Sequence, residues 1–110
     1  MAYDLELADR IRELLAGEQA AEKAMFGGLA FLINGNMSVA ASGQGGLLVR
    51  VDPDETGALL AEPGAEEFEM GNRGPMKGWL RVRPDVLGSD RVLTQWVRRG
   101  VSYARSLPAK

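Results

Sequence analysis

Three short apolar runs, separated by glycine and asparagine, constrain this sequence more than any other feature. They lie within residues 23–51, where residues 34–36 (Asn-Gly-Asn) and residues 43–46 (Gly-Gln-Gly-Gly) stand between them. Apolar runs of this length between turn residues are typical of antiparallel strands joined by tight turns. The segment therefore predicts a meander of three strands.

The first hairpin of this meander also has a predictable register. A three-residue loop at residues 34–36 places the larger apolar side chains of both strands on one face, as a half-buried sheet requires. The predicted pairs are Ile33 with Met37, Phe31 with Val39, and Leu29 with Ala41. Gly27 and Gly28 interrupt the first strand, which predicts a bulge or a close approach of two backbone segments there.

The rest of the sequence predicts three helices and two more strands. Apolar residues recur at helical spacing in residues 4–16 and 90–107, and a capping pattern at Asp52 starts a short helix that runs to about residue 61. Apolar and charged residues alternate in residues 67–70 and 79–83, as they do in strands. The order α-β-β-β-α-β-β-α predicts a two-layer α+β domain, with the helices on one face of a five-stranded antiparallel sheet.

The composition argues against an enzyme and against a metalloprotein. The chain has no histidine and no cysteine, so the commonest general base and the commonest metal ligands are missing from it. The sequence also lacks a phosphate-binding loop, a dinucleotide fingerprint and a nucleophile elbow. We therefore expect no catalytic activity, no cofactor and no metal, and we interpret Glu66, Glu67 and Glu69 as a solvated acidic edge.

Length and patterning indicate one cytoplasmic domain. A chain of 110 residues has room for a single core, so residues 1–110 are predicted to form one domain. Four acidic residues among the first sixteen argue against a secretory signal, and no apolar run approaches the roughly 20 residues that span a bilayer. The lack of cysteine suits a reducing compartment.

The charge of the chain is strongly asymmetric along its length. Residues 1–70 carry 4 Lys and Arg against 13 Asp and Glu, whereas residues 71–110 carry 9 against 2. Strand alternation gathers several of these cations around one tryptophan, on the sheet face away from the helices. The candidate partner-binding residues are Arg50, Lys77, Trp79, Arg81 and Arg83, with Leu48 exposed among them. An aromatic ring flanked by cations is typical of a platform for nucleic acid or for an acidic peptide.

The same charges also have an interpretation that requires no partner. Glu67 and Glu69, on the neighbouring strand, can pair across the sheet with Arg81 and Arg83. Trp79 can equally be buried beneath a loop, since a large aromatic side chain is usually packed. Both interpretations of this face remain open from the sequence.

Two further groups of residues have ordinary structural interpretations. The last predicted helix carries three arginines at seven-residue spacing, which places them on one side of the helix. They are Arg91, Arg98 and Arg105. Such a stripe is typical of a solvated helix face. Met25 and Phe26 are more typical of a core than of an exposed contact.

Several motifs, in order and at consistent separations, resemble one known family. They are Met25-Phe26-Gly27-Gly28, Asn34-Gly35-Asn36-Met37, Met76-Lys77-Gly78-Trp79 and the closing segment from Trp96 to Pro108. This pattern is similar to the TfoX N-terminal domain family, and the resemblance covers essentially the whole chain. It implies a fold like that of the secretion chaperones and a place among regulators of natural competence that act with the cyclic-AMP receptor protein. Full-length regulators of that family carry a second, helical domain, which residues 1–110 do not contain.

We therefore expect a cytoplasmic protein-interaction module without catalytic activity, linked to transcription regulation and acting with a protein partner or as a homodimer. Direct binding of nucleic acid through the face around Trp79 is an alternative, although the acidic first seventy residues would repel a long polyanion. Another alternative is a small-ligand or enzymatic domain with a pocket near Gly27 and Gly28.

Overall fold

The computed structural model describes residues 3–25, 27–69 and 75–109 of the chain. Within these ranges the helices and strands follow the predicted order, with one additional strand near the start. The elements are α1 (Leu5–Leu14), β1 (Ala20–Met25), β2 (Gly28–Ile33), β3 (Asn36–Ala41), β4 (Leu47–Arg50), α2 (Thr56–Leu59), β5 (Ala65–Glu69), β6 (Pro75–Val82) and α3 (Asp90–Ser106), with 3₁₀ turns at Pro53–Glu55 and Pro84–Val86.

The strands form one antiparallel sheet of six strands in the order β1-β2-β3-β4-β6-β5. The α+β class is confirmed, but the predicted five-stranded sheet is wrong. The first strand of the predicted meander is in fact two strands, β1 and β2. Met25 of β1 pairs with Gly28 of β2, so the chain reverses direction between them. Gly27 has φ 75°, the left-handed region that such a reversal requires.

The close approach predicted at Gly28 is confirmed, although no bulge lies there. A Cβ atom on Gly28 would collide with the carbonyl oxygen of Ala41, on the adjacent strand. The second glycine of the motif is therefore required by backbone packing between β2 and β3. Phe26 of the same motif lies outside the described residues.

The hairpin between β2 and β3 has a two-residue turn instead of the predicted three-residue loop. Asn34 and Gly35 both have positive φ, 54° and 81°. Two-residue hairpin turns of this kind require positive φ at both positions, because their twist then matches that of the flanking strands. Ile33 therefore pairs with Asn36, and the predicted pairing of Ile33 with Met37 is wrong. A bulge after Phe31 then restores the other two predicted pairs, Phe31 with Val39 and Leu29 with Ala41.

Side-chain caps fix where the two longer helices begin. The carboxylate of Asp4 accepts hydrogen bonds from the backbone N–H groups of Glu6 and Leu7, at 2.9 and 3.2 Å. The hydroxyl of Ser89 accepts one from Val92 at 3.4 Å. Both helices lie within their predicted ranges, residues 4–16 and 90–107. In the described part of the chain, no helix has the length and apolar character needed to cross a membrane.

α1 and α3 pack on the same face of the sheet, which we call the inner face. Alternate strand residues point towards them and form the main core. Its fully buried members include Ile11, Phe31, Leu80 and Trp96. α3 packs tightly on the sheet at Gly100, where an added Cβ atom would lie 2.5 Å from the carbonyl oxygen of Ser38. In this layer arrangement, no helix residue of the described ranges packs on the opposite face of the sheet.

Candidate interaction face

The face of the sheet opposite α1 and α3, which we call the outer face, carries an apolar cluster of its own. Four buried residues form its centre, and four larger side chains around them are half-buried. They are Ala30, Met37, Ala40 and Leu48 at the centre, and Met25, Leu32, Phe68 and Trp79 around it. All eight belong to strands, and no helix residue of the described ranges joins the cluster. The outer face is thus an apolar surface without a helical cover in that part of the chain.

Leu48 and Trp79 differ in how far the outer face exposes them. The prediction that Leu48 is exposed is wrong, because its side chain is 2% exposed in the middle of the sheet. Trp79 is half-buried. Its ring packs against Phe68, with 6.3 Å between the ring centroids, and Arg50 lies 5.7 Å from its centroid. The same guanidinium lies 5.7 Å from the ring of Tyr103 on α3, so Arg50 links the outer face to the helical layer.

Arg81 has all three of its guanidinium nitrogens in hydrogen bonds. It donates to the carbonyl oxygens of Gly45 at 3.1 Å and Gln44 at 2.9 Å, and to the carboxylate of Glu66 at 3.0 Å. The predicted pairing with Glu67 is wrong, because the register of β5 on β6 places Glu66 opposite Arg81. Arg81 therefore holds the turn between β3 and β4 in place, and Glu66 is its ion-pair partner.

The two remaining cations of the predicted site differ from each other. Arg83 pairs with Asp85 at 3.2 Å, so the predicted pairing of Arg83 with Glu69 is wrong. Lys77 is exposed and forms no ion pair with any residue that the structure describes. The predicted cationic platform is thus an apolar surface with charges of both signs at its rim.

Phe68 and Glu66 were missed as members of the outer face. The sequence pattern had placed Glu67 and Glu69 on the side of the arginines, whereas the pairing of β5 with β6 turns Phe68 and Glu66 to that side. The signal that could have found them is chemical. An aromatic pair such as Phe68 and Trp79 is a favourable cross-strand contact, and so is a pair of opposite charges such as Glu66 and Arg81.

The family motifs mainly fix backbone geometry. Gly78 has φ 86°, and its N–H donates to the hydroxyl of Thr56 at 2.9 Å while its carbonyl accepts from Val51 at 2.9 Å. The Met76-Lys77-Gly78-Trp79 motif thereby ties β6 to the start of α2. Trp79 is the member of this motif that also contributes to the outer face, and the side chain of Met76 lies outside the described residues.

A ligand pocket near Gly27 and Gly28 was one alternative from the sequence, and two clefts among the described residues lie elsewhere. Two clefts of about 490 Å³ each run along α3. One contains Asp52, Glu55 and Arg99, and the other lies between α1 and α3. Among the described residues, no group of three or more His, Cys, Asp or Glu side chains converges as a metal site would require.

At the edge of the sheet, β1 is held to α1 by an ion pair. Arg12 donates to both carboxylate oxygens of Glu22, at 2.6 and 2.9 Å, and also to Asp9 at 2.6 Å. The hydrogen bond from Arg12 lowers the pKa of Glu22, and burial opposes this only in part. This contact fixes a strand whose own side chains are mostly exposed.

Comparison with known proteins identifies a family. The sequence model of the TfoX N-terminal domain family matches residues 13–104, a range that includes all six strands and most of α3 but only the last two residues of α1. No curated protein and no solved structure matches the chain.

Proposed function

The chain belongs to the TfoX N-terminal domain family, and we propose that it is a cytoplasmic protein-interaction module without catalytic activity that acts in transcription regulation, as a competence-type coactivator. The outer face is the observation that supports this most. Half-buried Leu32, Phe68 and Trp79 surround a buried centre, and charged side chains stand at the rim. An apolar centre with a polar rim is the usual anatomy of a protein interface.

A protein partner or a second copy suits the outer face better than nucleic acid does. Binding a polyanion requires cations that are free to neutralise phosphates. Arg81 and Arg83 already pair with Glu66 and Asp85, at 3.0 and 3.2 Å. Lys77 is an exposed cation of the predicted site, and it has no ion pair within the described ranges. The acidic first seventy residues add repulsion across much of the surface.

A matched pair of leucine variants tests this proposal. Leu32→Lys places a charge among the half-buried residues of the outer face, whereas Leu5→Lys makes the same change at a 49%-exposed leucine on α1. Sedimentation at micromolar concentration measures self-association, and binding to a partner purified after crosslinking in the source cell measures the heteromeric contact. We expect Leu32→Lys to weaken the contact by about tenfold or more, since one buried side chain at an interface centre contributes on the order of 1–2 kcal/mol, and Leu5→Lys to leave it unchanged.

Two results would contradict the proposal. A strict monomer that binds duplex DNA tightly, with a steep salt dependence and a large loss in Lys77→Glu, would favour the nucleic-acid alternative. A turnover activity that a single substitution abolishes without unfolding the domain would show that the chain is an enzyme.

A further inference from the structure

A continuous groove runs between α1 and α3, on the side of the molecule away from the outer face. Its wider part is a cleft of about 490 Å³ between the end of α1 and the second half of α3. Its narrower part is a cleft of about 290 Å³ near the start of α3. Leu14 and Thr94 line both parts, so the two are one groove. Along α3 it extends from Asp90 to Arg105, which is about 22 Å at 1.5 Å per residue.

The wider part of this interhelical groove has an apolar floor and an exposed apolar wall. Leu15, Val97 and Val101 form the floor, and they are 5%, 2% and 8% exposed. Leu14 forms the wall and is 39% exposed. A single exposed leucine is ordinary on a protein surface. Leu14 differs because a concave site lies directly beside it, where a side chain from another molecule can bury both surfaces.

The charges along the groove are not balanced. Arg105 pairs with Glu18 across the wider part, and Arg10 pairs with Asp90 at 2.9 Å in the narrower part. Arg98 projects from α3, is exposed, and lines both the wider part and the neighbouring cleft, which Asp52 and Glu55 also line. It forms no ion pair with any of the residues described. A partner that places a carboxylate opposite Arg98 gains a charge-assisted hydrogen bond that the domain does not supply itself. Glu13 lines the narrower end, so the cationic side belongs to the wider part.

We propose that this groove binds one amphipathic helix of a protein partner, with apolar side chains at i, i+3 or i+4 and i+7 against Leu14 and the floor, and a carboxylate facing Arg98. The length of about 22 Å accommodates about four helical turns. An elongated groove with an apolar floor is the geometry that amphipathic helices occupy in other proteins. This surface is distinct from the outer face, so the domain can hold two partners at once, and the inference does not depend on the proposed function.

A designed peptide serves as the probe. It has 16 residues, leucine at helical spacing on one side, glutamate on the other side and a fluorescein label, and a second peptide has glutamine in place of every glutamate. Fluorescence anisotropy measures binding to the whole domain. We expect the glutamate peptide to bind at least tenfold more tightly than the glutamine peptide, because only its carboxylates can accept charge-assisted hydrogen bonds from Arg98.

The domain provides its own matched controls. Arg98→Glu should weaken the glutamate peptide by about tenfold or more, while Arg91→Glu, the same change seven residues earlier on α3 and outside the groove lining, should change it less than about twofold. Leu14→Ala should weaken it by about fivefold, and Leu5→Ala should not. All four positions are exposed, and thermal unfolding confirms that each variant is folded.

Several outcomes would overturn the inference. They are no binding at a domain concentration of about 1 mM, equal losses in Arg98→Glu and Arg91→Glu, and equal affinity for the two peptides. Backbone amide shifts in an NMR titration give a second readout, and shifts centred on β3 and β4 instead of α1 and α3 would place the peptide on the outer face. A dimer in sedimentation that Leu14→Ala dissociates would assign the groove to a second copy of the chain.

Discussion

The two faces of the sheet use the same strands in different ways. On the inner face, large side chains such as Phe31, Val49 and Leu80 are fully buried beneath α1 and α3. On the outer face, the buried centre includes the small residues Ala30 and Ala40, and the larger side chains around it stay half-buried. The inner face is therefore covered by helices, whereas no helix of the described ranges covers the outer face. A face of the second kind still has apolar surface to bury against a partner.

The largest expected effect compares neighbouring residues of β2 that point to opposite faces. Phe31→Ala should lower the free energy of unfolding by about 3–5 kcal/mol, because Phe31 is 1% exposed in the main core. Leu32→Ala should cost only about 1 kcal/mol, because Leu32 is half-buried on the outer face. Trp96→Ala, on the helix above the inner face, should resemble Phe31→Ala. Urea unfolding measures all three, and equal losses for Phe31 and Leu32 would mean that the outer face is as closed as the inner one.

The next prediction concerns the contact that closes the inner face. Gly100→Ala should destabilise by about 1–3 kcal/mol, because the new methyl group would lie 2.5 Å from the carbonyl oxygen of Ser38 and 2.8 Å from Val39. Helix propensity alone would predict a gain of up to about 1 kcal/mol. Gly57→Ala in α2 is the control, since nothing lies within 4 Å of its added Cβ atom. It should be neutral or slightly stabilising, and a stabilised Gly100→Ala would show that α3 can move away from the sheet.

The inner face is the part of this fold that the sequence predicts best. Helical spacing identifies the buried stripes of α1 and α3, and both helices lie within their predicted ranges. β1 is the part that could not be predicted, because residues 20–24 are Ala-Ala-Glu-Lys-Ala, which have low strand propensity. What makes them a strand is pairing with β2 and the ion pair between Arg12 and Glu22. Neither contact can be read from the residues of β1 alone.

The outer face was only partly predictable for a related reason. Alternation along β6 places Trp79 and Arg81 correctly on one side, since a strand alternates whatever its neighbours are. The partners of these residues depend on the register between β5 and β6, which changes between Glu67 and Glu69. A shift of one residue exchanges the two faces of a strand, so Glu66 was missed as the partner of Arg81. The bulge after Phe31 likewise has no signature in the alternation of apolar residues.

A smaller effect is expected at the rim of the outer face. Arg81→Ala should cost about 1–2 kcal/mol, because it removes hydrogen bonds to Gln44, Gly45 and Glu66 from a side chain that is 25% exposed. Lys77→Ala, at the exposed cation of the same strand, should change stability by less than about 0.5 kcal/mol. Hydrogen exchange of the turn between β3 and β4 should become faster only in Arg81→Ala. Unchanged exchange there would mean that Arg81 is free for a partner after all.

The smallest expected effect tests the edge of the inner face, where β1 has few buried side chains and Glu22 lies opposite Phe31. The hydrogen bond from Arg12 lowers the pKa of Glu22 in the folded state. A lowered carboxyl pKa contributes stability that is fully present above the unfolded value of about 4.3 and is lost as the pH falls through the lower folded value. Wild type should therefore lose thermal stability between pH 5 and pH 3 in part through this group. Arg12 stays charged throughout, so it adds no pH dependence of its own in this window.

Glu22→Gln removes this contribution, so its melting temperature should fall less steeply than that of wild type as the pH drops below about 4. The difference should be small, because the Glu22 side chain is 38% exposed and solvent screens the pair. Glu13→Gln is the matched control on α1, at a carboxylate that has no ion pair among the described residues, and it should follow wild type. Scanning calorimetry from pH 7 to pH 3 makes the measurement. If Glu22→Gln and wild type lose stability equally, the ion pair does not hold β1, and the edge of the inner face depends on backbone pairing with β2 alone.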